Sequence, residues 1–111
     1  MLSLEVKNRL YQIIREKIVA GLSPERIYVF GSFSRNQDTD NSDIDILIEK
    51  VTDSDIISRI SGARRFLRGF PYPLDILVYT PQEIQEKSKD KHSVVFQALK
   101  DGVLLYDRKV K

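Results

Sequence analysis

Apolar residues near the start of the chain follow a helical period. They recur about every four residues within residues 3–19, with charged side chains between them, which is typical of an amphipathic helix packed on a core. Gly21, followed by Ser23 and Pro24, is predicted to end this helix. The apolar stripe consists of Val6, Leu10, Ile13, Ile14 and Ile18.

Three later segments have the β-branched, apolar composition of strands. They are residues 26–30 (RIYVF), 43–49 (DIDILIE) and 74–79 (LDILVY). Gly31-Ser32 after the first strand predicts a tight turn, with a short helix starting near Phe33 and ending before the polar loop at residues 37–41.

Helical segments also separate and follow these strands. Residues 54–68 carry a second apolar stripe, formed by Ile56, Ile60, Ala63 and Leu67. Thr80-Pro81-Gln82-Glu83 has the pattern of a capping box with proline in the first turn, so it predicts a helix start. A last helix is predicted over residues 92–101, ending at Gly102, and residues 103–106 are predicted to add an edge strand.

Strands that alternate with helices indicate a single sheet with helices packed against it. The predicted fold class is therefore α/β (α+β), with a small mixed β-sheet and helices packed mainly on one face. The length of 111 residues fits one domain, so residues 1–111 are expected to form a single domain.

Composition narrows the function classes. The net charge of +2, from 18 basic and 16 acidic residues, argues against a broad nucleic-acid or membrane-surface binder. The chain has no cysteine, which excludes disulfides and thiolate metal sites. No apolar run approaches the roughly 20 residues of a membrane helix, and the N-terminus lacks a signal core, so we expect a soluble, cytoplasmic protein.

Acidic residues interrupt two of the predicted strands. Because strand side chains alternate, Asp43 and Asp45 point to the same face, with Cβ atoms about 7 Å apart. Asp75 has the equivalent position in the third strand and joins them if these two strands are neighbours. Such carboxylates are suited to hold Mg²⁺, and two ions are expected, while Asp75 can also serve as a base.

A second group of residues is suited to bind phosphate. Gly31 and Ser32 lie between a strand and a predicted helix, where a glycine lets the backbone approach an anion and the serine adds a hydroxyl donor. Arg35 follows three residues later and can pair with a triphosphate.

The stretch GSFSRNQDTDNSDID resembles the signature of the polymerase-beta-like nucleotidyltransferases: Gly-Ser, ten residues, then Asp-x-Asp. Ser42 before Asp43 matches the usual Ser-Asp-x-Asp form, and LDILV resembles the strand with the third carboxylate. The resemblance covers about residues 26–80, and the short chain resembles the minimal nucleotidyltransferases. Arg35-Asn36 departs from the Arg-Gly of many members, which leaves the loop geometry there open.

The resemblance implies nucleotidyl transfer from ATP or another nucleoside triphosphate. In that reading Asp43, Asp45 and Asp75 are catalytic and bind metal, while Gly31, Ser32, Arg35 and Ser42 bind the nucleotide. It also implies a HEPN-family protein partner, as in toxin–antitoxin pairs where the transferase adds AMP to its partner. A second copy of the chain is the other candidate for completing the acceptor pocket.

Several alternatives stay open at this point. The chain can be a non-catalytic module that neutralises a HEPN-type partner by contact, or a phosphate-binding regulatory domain without turnover. A calcium loop with ligands at Asp38, Asp40, Ser42 and Glu49 is disfavoured, because Asp43 stands where that loop needs glycine. The sequence names neither the acceptor nor the base of the nucleotide.

Overall fold

The order of elements agrees with the predicted one. The computed structural model describes residues 2–39 and 41–110. Its helices are α1 (Leu4–Leu22), α2 (Gly31–Ser34), α3 (Ile56–Phe66), α4 (Pro81–Lys87) and α5 (Val94–Asp101). Its strands are β1 (Arg26–Phe30), β2 (Ile44–Glu49), β3 (Leu74–Tyr79) and β4 (Val103–Asp107).

The strands form a mixed four-stranded sheet in the order β3-β2-β1-β4, which confirms the predicted fold class. β1 pairs antiparallel with both β2 and β4, whereas β2 and β3 are parallel. A parallel pair needs a crossover connection, and α3 provides it. The crossover places the N-terminal ends of β2 and β3 side by side, with Ile44 opposite Leu74.

Helices cover both faces of this sheet, and the larger core lies on one of them. On that face α1 and α3 pack against Ile44, Ile46 and Ile48 of β2. On the opposite face a smaller cluster joins Leu47 to residues of α4 and α5. The prediction of helices mainly on one face matches the long helices, while the two short helices close the second face.

The end of α1 differs from its prediction. The helix continues through Gly21 to Leu22, and Ser23 takes the left-handed conformation with φ 49°. The N–H of Ser23 donates to the carbonyl of Val19 at 3.2 Å and closes the last turn. Gly21 instead lies under the ring of Phe66, where a Cβ would collide. The glycine therefore serves the contact between α1 and α3.

The predicted apolar stripe of α1 is confirmed at Leu10, Ile14 and Ile18 and wrong at Val6. Val6 is 43% exposed, whereas Lys7 is only 1% exposed and stands on the buried face with Leu10, Ile14 and Ile18. A polar side chain thus occupies a core position of the helix.

Within residues 2–39 and 41–110 no helix is long and apolar enough to cross a membrane.

The start of α4 is the local prediction that the structure matches most closely. The Thr80 hydroxyl accepts from the Glu83 N–H at 3.1 Å, and the Glu83 carboxylate accepts from the Thr80 N–H at 2.8 Å. These reciprocal bonds form the predicted capping box, with Pro81 in the first turn.

Candidate active site

The three predicted carboxylates meet at the N-terminal ends of β2 and β3. Asp45 of β2 lies directly opposite Asp75 of β3 in the parallel register, so the two side chains share a face. Asp43 immediately precedes β2, which starts at Ile44, one residue later than predicted. Asp43 and Asp75 are exposed and Asp45 is half-buried. The cluster is therefore open to solvent at this end of the sheet.

The charges of this cluster oppose each other. Partial burial raises the pKa of Asp45 above its usual range, and the negative charges of Asp75 and Asp43 raise it further. Arg35 acts in the opposite direction and lowers the pKa of the same group. Three carboxylates with one nearby guanidinium leave an excess of negative charge, which a bound cation would offset.

The same three carboxylates are the predicted metal ligands. Within the described part of the chain, no group of three or more acidic, histidine or cysteine side chains has an arrangement that could hold a metal ion, so protein ligands alone do not form a metal site here. Mg²⁺ commonly takes one or two protein carboxylates and completes its shell with substrate phosphates and water. The oxygen donors and the excess charge at Asp45 fit such an ion when a triphosphate shares it.

Residues 31–38, here called the glycine–serine turn, lie directly against this cluster. Gly31 begins α2, two residues earlier than predicted, and has φ 81°. A Cβ at this position would collide with the carboxylate of Asp45. Glycine is thus required both by the backbone conformation and by the close approach of α2 to β2.

The two serines of the motif are brought together although they are ten residues apart in sequence. The Ser32 hydroxyl donates to the Ser42 hydroxyl at 3.3 Å. The Ser42 hydroxyl also accepts from the Thr39 N–H at 2.8 Å, which orders the loop before Asp43. Ser32 and Ser42 therefore present neighbouring hydroxyls beside the carboxylates. Their binding of a nucleotide stays a prediction.

Arg35 follows α2 and is exposed. Its Nε donates to Gln37 Oε1 at 3.1 Å, and its charge acts on Asp45. The next residue, Asn36, has φ 57°, a left-handed conformation that glycine favours and asparagine tolerates. The replacement of Arg-Gly by Arg-Asn therefore keeps a turn that suits either residue.

The calcium-loop alternative does not survive in the structure. The carboxylate of Asp38 is buried in an ion pair with Lys7, and Glu49 pairs with Arg26 at 2.8 Å. Two of the four proposed ligands are thus engaged elsewhere. Asp40, a third, lies outside the described residues.

The structure brings one further residue, Lys7, to the glycine–serine turn, and the predicted stripe did not include it. The four-residue period was read from Val6, so the lysine was assigned to the charged, solvated face. Lys7 stands three residues before Leu10, and that spacing also belongs to the buried stripe. A second signal is the acidic Asp38 in the signature loop, which needs a counter-charge once it is buried.

Comparisons with solved structures agree with this fold. A protein of Sulfolobus solfataricus described as a candidate nucleotidyltransferase matches with TM-score 0.65 and 26% identity, over 96% of this chain and 88% of that one. A toxin–antitoxin structure with AMP-PNP matches with TM-score 0.65 and 22% identity, over 89% of this chain and 74% of that one.

A third structure, the tri-AMPylated Shewanella oneidensis HEPN toxin in complex with its MNT antitoxin, matches with TM-score 0.53 and 23% identity. That match covers 89% of this chain and 74% of the other. A search of curated proteins found no match.

The family described as polymerase beta nucleotidyltransferase matches residues 12–111, a span that includes the glycine–serine turn, both strands with carboxylates and all helices after α1. Together with the mixed sheet and the paired aspartates, this match shows that the chain belongs to the polymerase beta nucleotidyltransferase family.

Proposed function

We propose that this protein transfers a nucleotidyl group, AMP from ATP, to an acceptor hydroxyl and releases pyrophosphate. The observation that carries the proposal is the pairing of Asp45 with Asp75 in the sheet, directly beside Gly31. Two carboxylates beside the glycine–serine turn support a site shared by a metal ion and a triphosphate.

Asp43 and Asp45, with Asp75 as the third ligand, would hold Mg²⁺, as one ion or a pair. When bound, the metal neutralises charge on the triphosphate and on the leaving pyrophosphate. The raised pKa of Asp45 supports this assignment, because a carboxylate placed among like charges needs a counter-ion.

The rest of the site positions the triphosphate. Gly31 brings the start of α2 close to Asp45, the Ser32 and Ser42 hydroxyls would donate hydrogen bonds to phosphate oxygens, and Arg35 adds a positive charge. Positioning and charge neutralisation supply most of the catalysis in such an in-line displacement.

The proposed reaction is a single displacement at the α-phosphorus of ATP. The acceptor oxygen forms a bond to the α-phosphorus while the bond from that phosphorus to the β-phosphate oxygen breaks. Pyrophosphate leaves with the electron pair of the broken bond. Asp75, exposed at the edge of the site, takes the proton of the acceptor hydroxyl.

A HEPN-type protein is the acceptor that we favour. The support is the similarity in fold to chains from toxin–antitoxin structures, one of which contains an AMPylated HEPN toxin. β3 is an edge strand, so Asp75 lies at the open side of the sheet, where a partner can complete the acceptor pocket. A second copy of this chain is the alternative occupant of that side.

The test uses a purified HEPN-type protein as the acceptor. The chain, Mg²⁺ and ATP are mixed with that protein, and its mass is measured for added AMP. We expect added AMP with wild type and none with Asp43→Ala/Asp45→Ala, although the double variant still forms the complex. If the double variant neutralises the partner as well as wild type does, the chain acts by contact alone and the proposed chemistry is wrong.

A further inference from the structure

A lysine buried behind the glycine–serine turn has no part in the reaction described above. Lys7 reaches from α1 and is 1% exposed, although it carries an ammonium group. We propose that Lys7 is a positioning residue that holds the glycine–serine turn against β2 and so sets the affinity for the nucleotide. The nucleotide half of this inference rests on the proposed function.

All three hydrogens of the Lys7 ammonium are used on this turn. Nζ donates to the Phe33 carbonyl and to Asn36 Oδ1, each at 3.0 Å, and to Asp38 Oδ1 at 2.5 Å. It also lies 4.4 Å from the centre of the Phe33 ring. One side chain from α1 thus binds the end of α2, the left-handed residue after it and the start of the next loop.

The hydrogen bonds within the turn are local. The Gln37 N–H donates to the Ser32 carbonyl at 2.9 Å, whereas the bonds from the Arg35 N–H to Gly31 and from the Asn36 N–H to Phe33 are long at 3.3 Å. The buried Phe33 ring packs against Tyr11 of α1, and Lys7 adds hydrogen bonds from the same helix. On its other side the turn touches the site itself, through Gly31 against Asp45 and Ser32 against Ser42. The glycine–serine turn is therefore held between Lys7 behind it and β2 in front.

Stability alone does not account for a lysine at this position. Removing an ion pair from water costs about as much free energy as the attraction between the two charges returns. A well-packed apolar pair of similar volume is therefore often equally stable. The position belongs to the apolar stripe of α1, where an aliphatic side chain would fit the pattern. The hydrogen bond from Lys7 lowers the pKa of Asp38 below its usual range, so the buried carboxylate of Asp38 stays charged near neutral pH.

The test separates positioning from folding with a double variant. Lys7→Met alone leaves the Asp38 carboxylate buried without its cation, which endangers folding. Lys7→Met/Asp38→Leu removes both charges and keeps an apolar core. Lys50→Met is the matched control, because Lys50 Nζ donates to the Leu22 carbonyl at 2.5 Å, at the end of the sheet away from the carboxylates.

Hydrogen exchange and ATP affinity are then measured on wild type, on Lys7→Met/Asp38→Leu and on Lys50→Met. In the double variant we expect faster exchange confined to residues 31–38, and a dissociation constant for Mg²⁺-ATP raised roughly tenfold, because a small displacement of positioning groups weakens a site strongly. Exchange in this turn and ATP affinity should stay at wild-type values in Lys50→Met.

Two results would overturn the inference. One is wild-type exchange in residues 31–38, or a rise spread evenly over the chain, in the double variant. The other is faster exchange in the turn with unchanged ATP affinity. If the wild type binds no Mg²⁺-ATP, the proposed function fails, and the exchange comparison alone decides whether Lys7 orders the turn.

Discussion

Asp45 is the residue at which the requirements of folding and function conflict most directly. It is half-buried, faces two other carboxylates and touches Gly31, so its negative charge is unfavourable in the metal-free protein. Proteins commonly hold such groups at sites where a ligand offsets them. This conflict predicts that removing the charge at Asp45 stabilises the metal-free protein and weakens binding of the metal–nucleotide complex.

Replacing Asp45 with asparagine should stabilise the metal-free protein at neutral pH. Because the folded state raises the pKa of Asp45, it binds the proton more tightly than the unfolded chain does. This contribution to wild-type stability is present at low pH and is lost as pH rises through the raised pKa. We expect the free energy of unfolding of Asp45→Asn at neutral pH to exceed that of wild type by about 0.5 kcal/mol. The difference is small because solvent screens a half-exposed carboxylate.

Urea unfolding at several pH values, without divalent cations, measures this difference. It should vanish in acid, where the wild-type carboxyl is protonated. Asp53→Asn is the control, since Asp53 is exposed in the loop after β2 and has no hydrogen-bond or ion-pair partner in the described part of the chain. A neutral-pH stability of Asp45→Asn below that of wild type would contradict the conflict described for Asp45.

Among the elements, the packing of α2 on β2 determines the shape of the site. Gly31→Ala would add a Cβ that collides with the Asp45 carboxylate, at a backbone φ of 81°. The left-handed conformation alone should cost about 1–2 kcal/mol of folding free energy. The collision should in addition displace α2 and abolish measurable binding of Mg²⁺-ATP.

Gly69→Ala separates these two effects. Gly69 has φ 82°, yet a Cβ there meets nothing within 4 Å. This variant should show the backbone cost with unchanged ATP binding, measured by unfolding and by calorimetry. Equal ATP affinity in Gly31→Ala and wild type would show that the contact between Gly31 and Asp45 does not shape the site.

Elements with a strong local signal were predictable from sequence. The strand over residues 26–30 follows from its β-branched composition, and the start of α4 follows from the capping box at Thr80 and Glu83. The end of α1 was not predictable, because Gly21 contacts Phe66 of α3 and Ser23 takes the left-handed position instead. Such a choice depends on contacts between distant residues.

The site was predictable to a similar degree. The two-residue period placed Asp43 and Asp45 on one face, and the motif order supplied Gly31 and Ser32. The meeting of Asp45 with Asp75 depends on β2 and β3 being parallel neighbours, which the α3 crossover determines. From the sequence, this pairing was expected only if the two strands were neighbours. The burial of Lys7 was not predictable, because lysine is rarely found on the buried face of a helix.

At the scale of the whole molecule, the site lies at one end of the sheet beside the edge strand β3. The family match and the paired carboxylates agree on nucleotidyl transfer, and the nearly balanced net charge of +2 gives no support for a general nucleic-acid acceptor. The open side at Asp75 is where we expect the acceptor protein to bind. The account depends first on whether the carboxylates hold a metal–nucleotide complex.

A thermal-melt comparison tests that claim most directly. Wild type and Asp43→Ala/Asp45→Ala are melted with ATP, with and without Mg²⁺. A ligand at about 100 times its dissociation constant stabilises by about 2.7 kcal/mol, which shifts the melting temperature of a chain of this size by several degrees. The account predicts a Mg²⁺-dependent shift in wild type that is lost in the double variant. No shift in wild type, or an equal shift in both proteins, would contradict it.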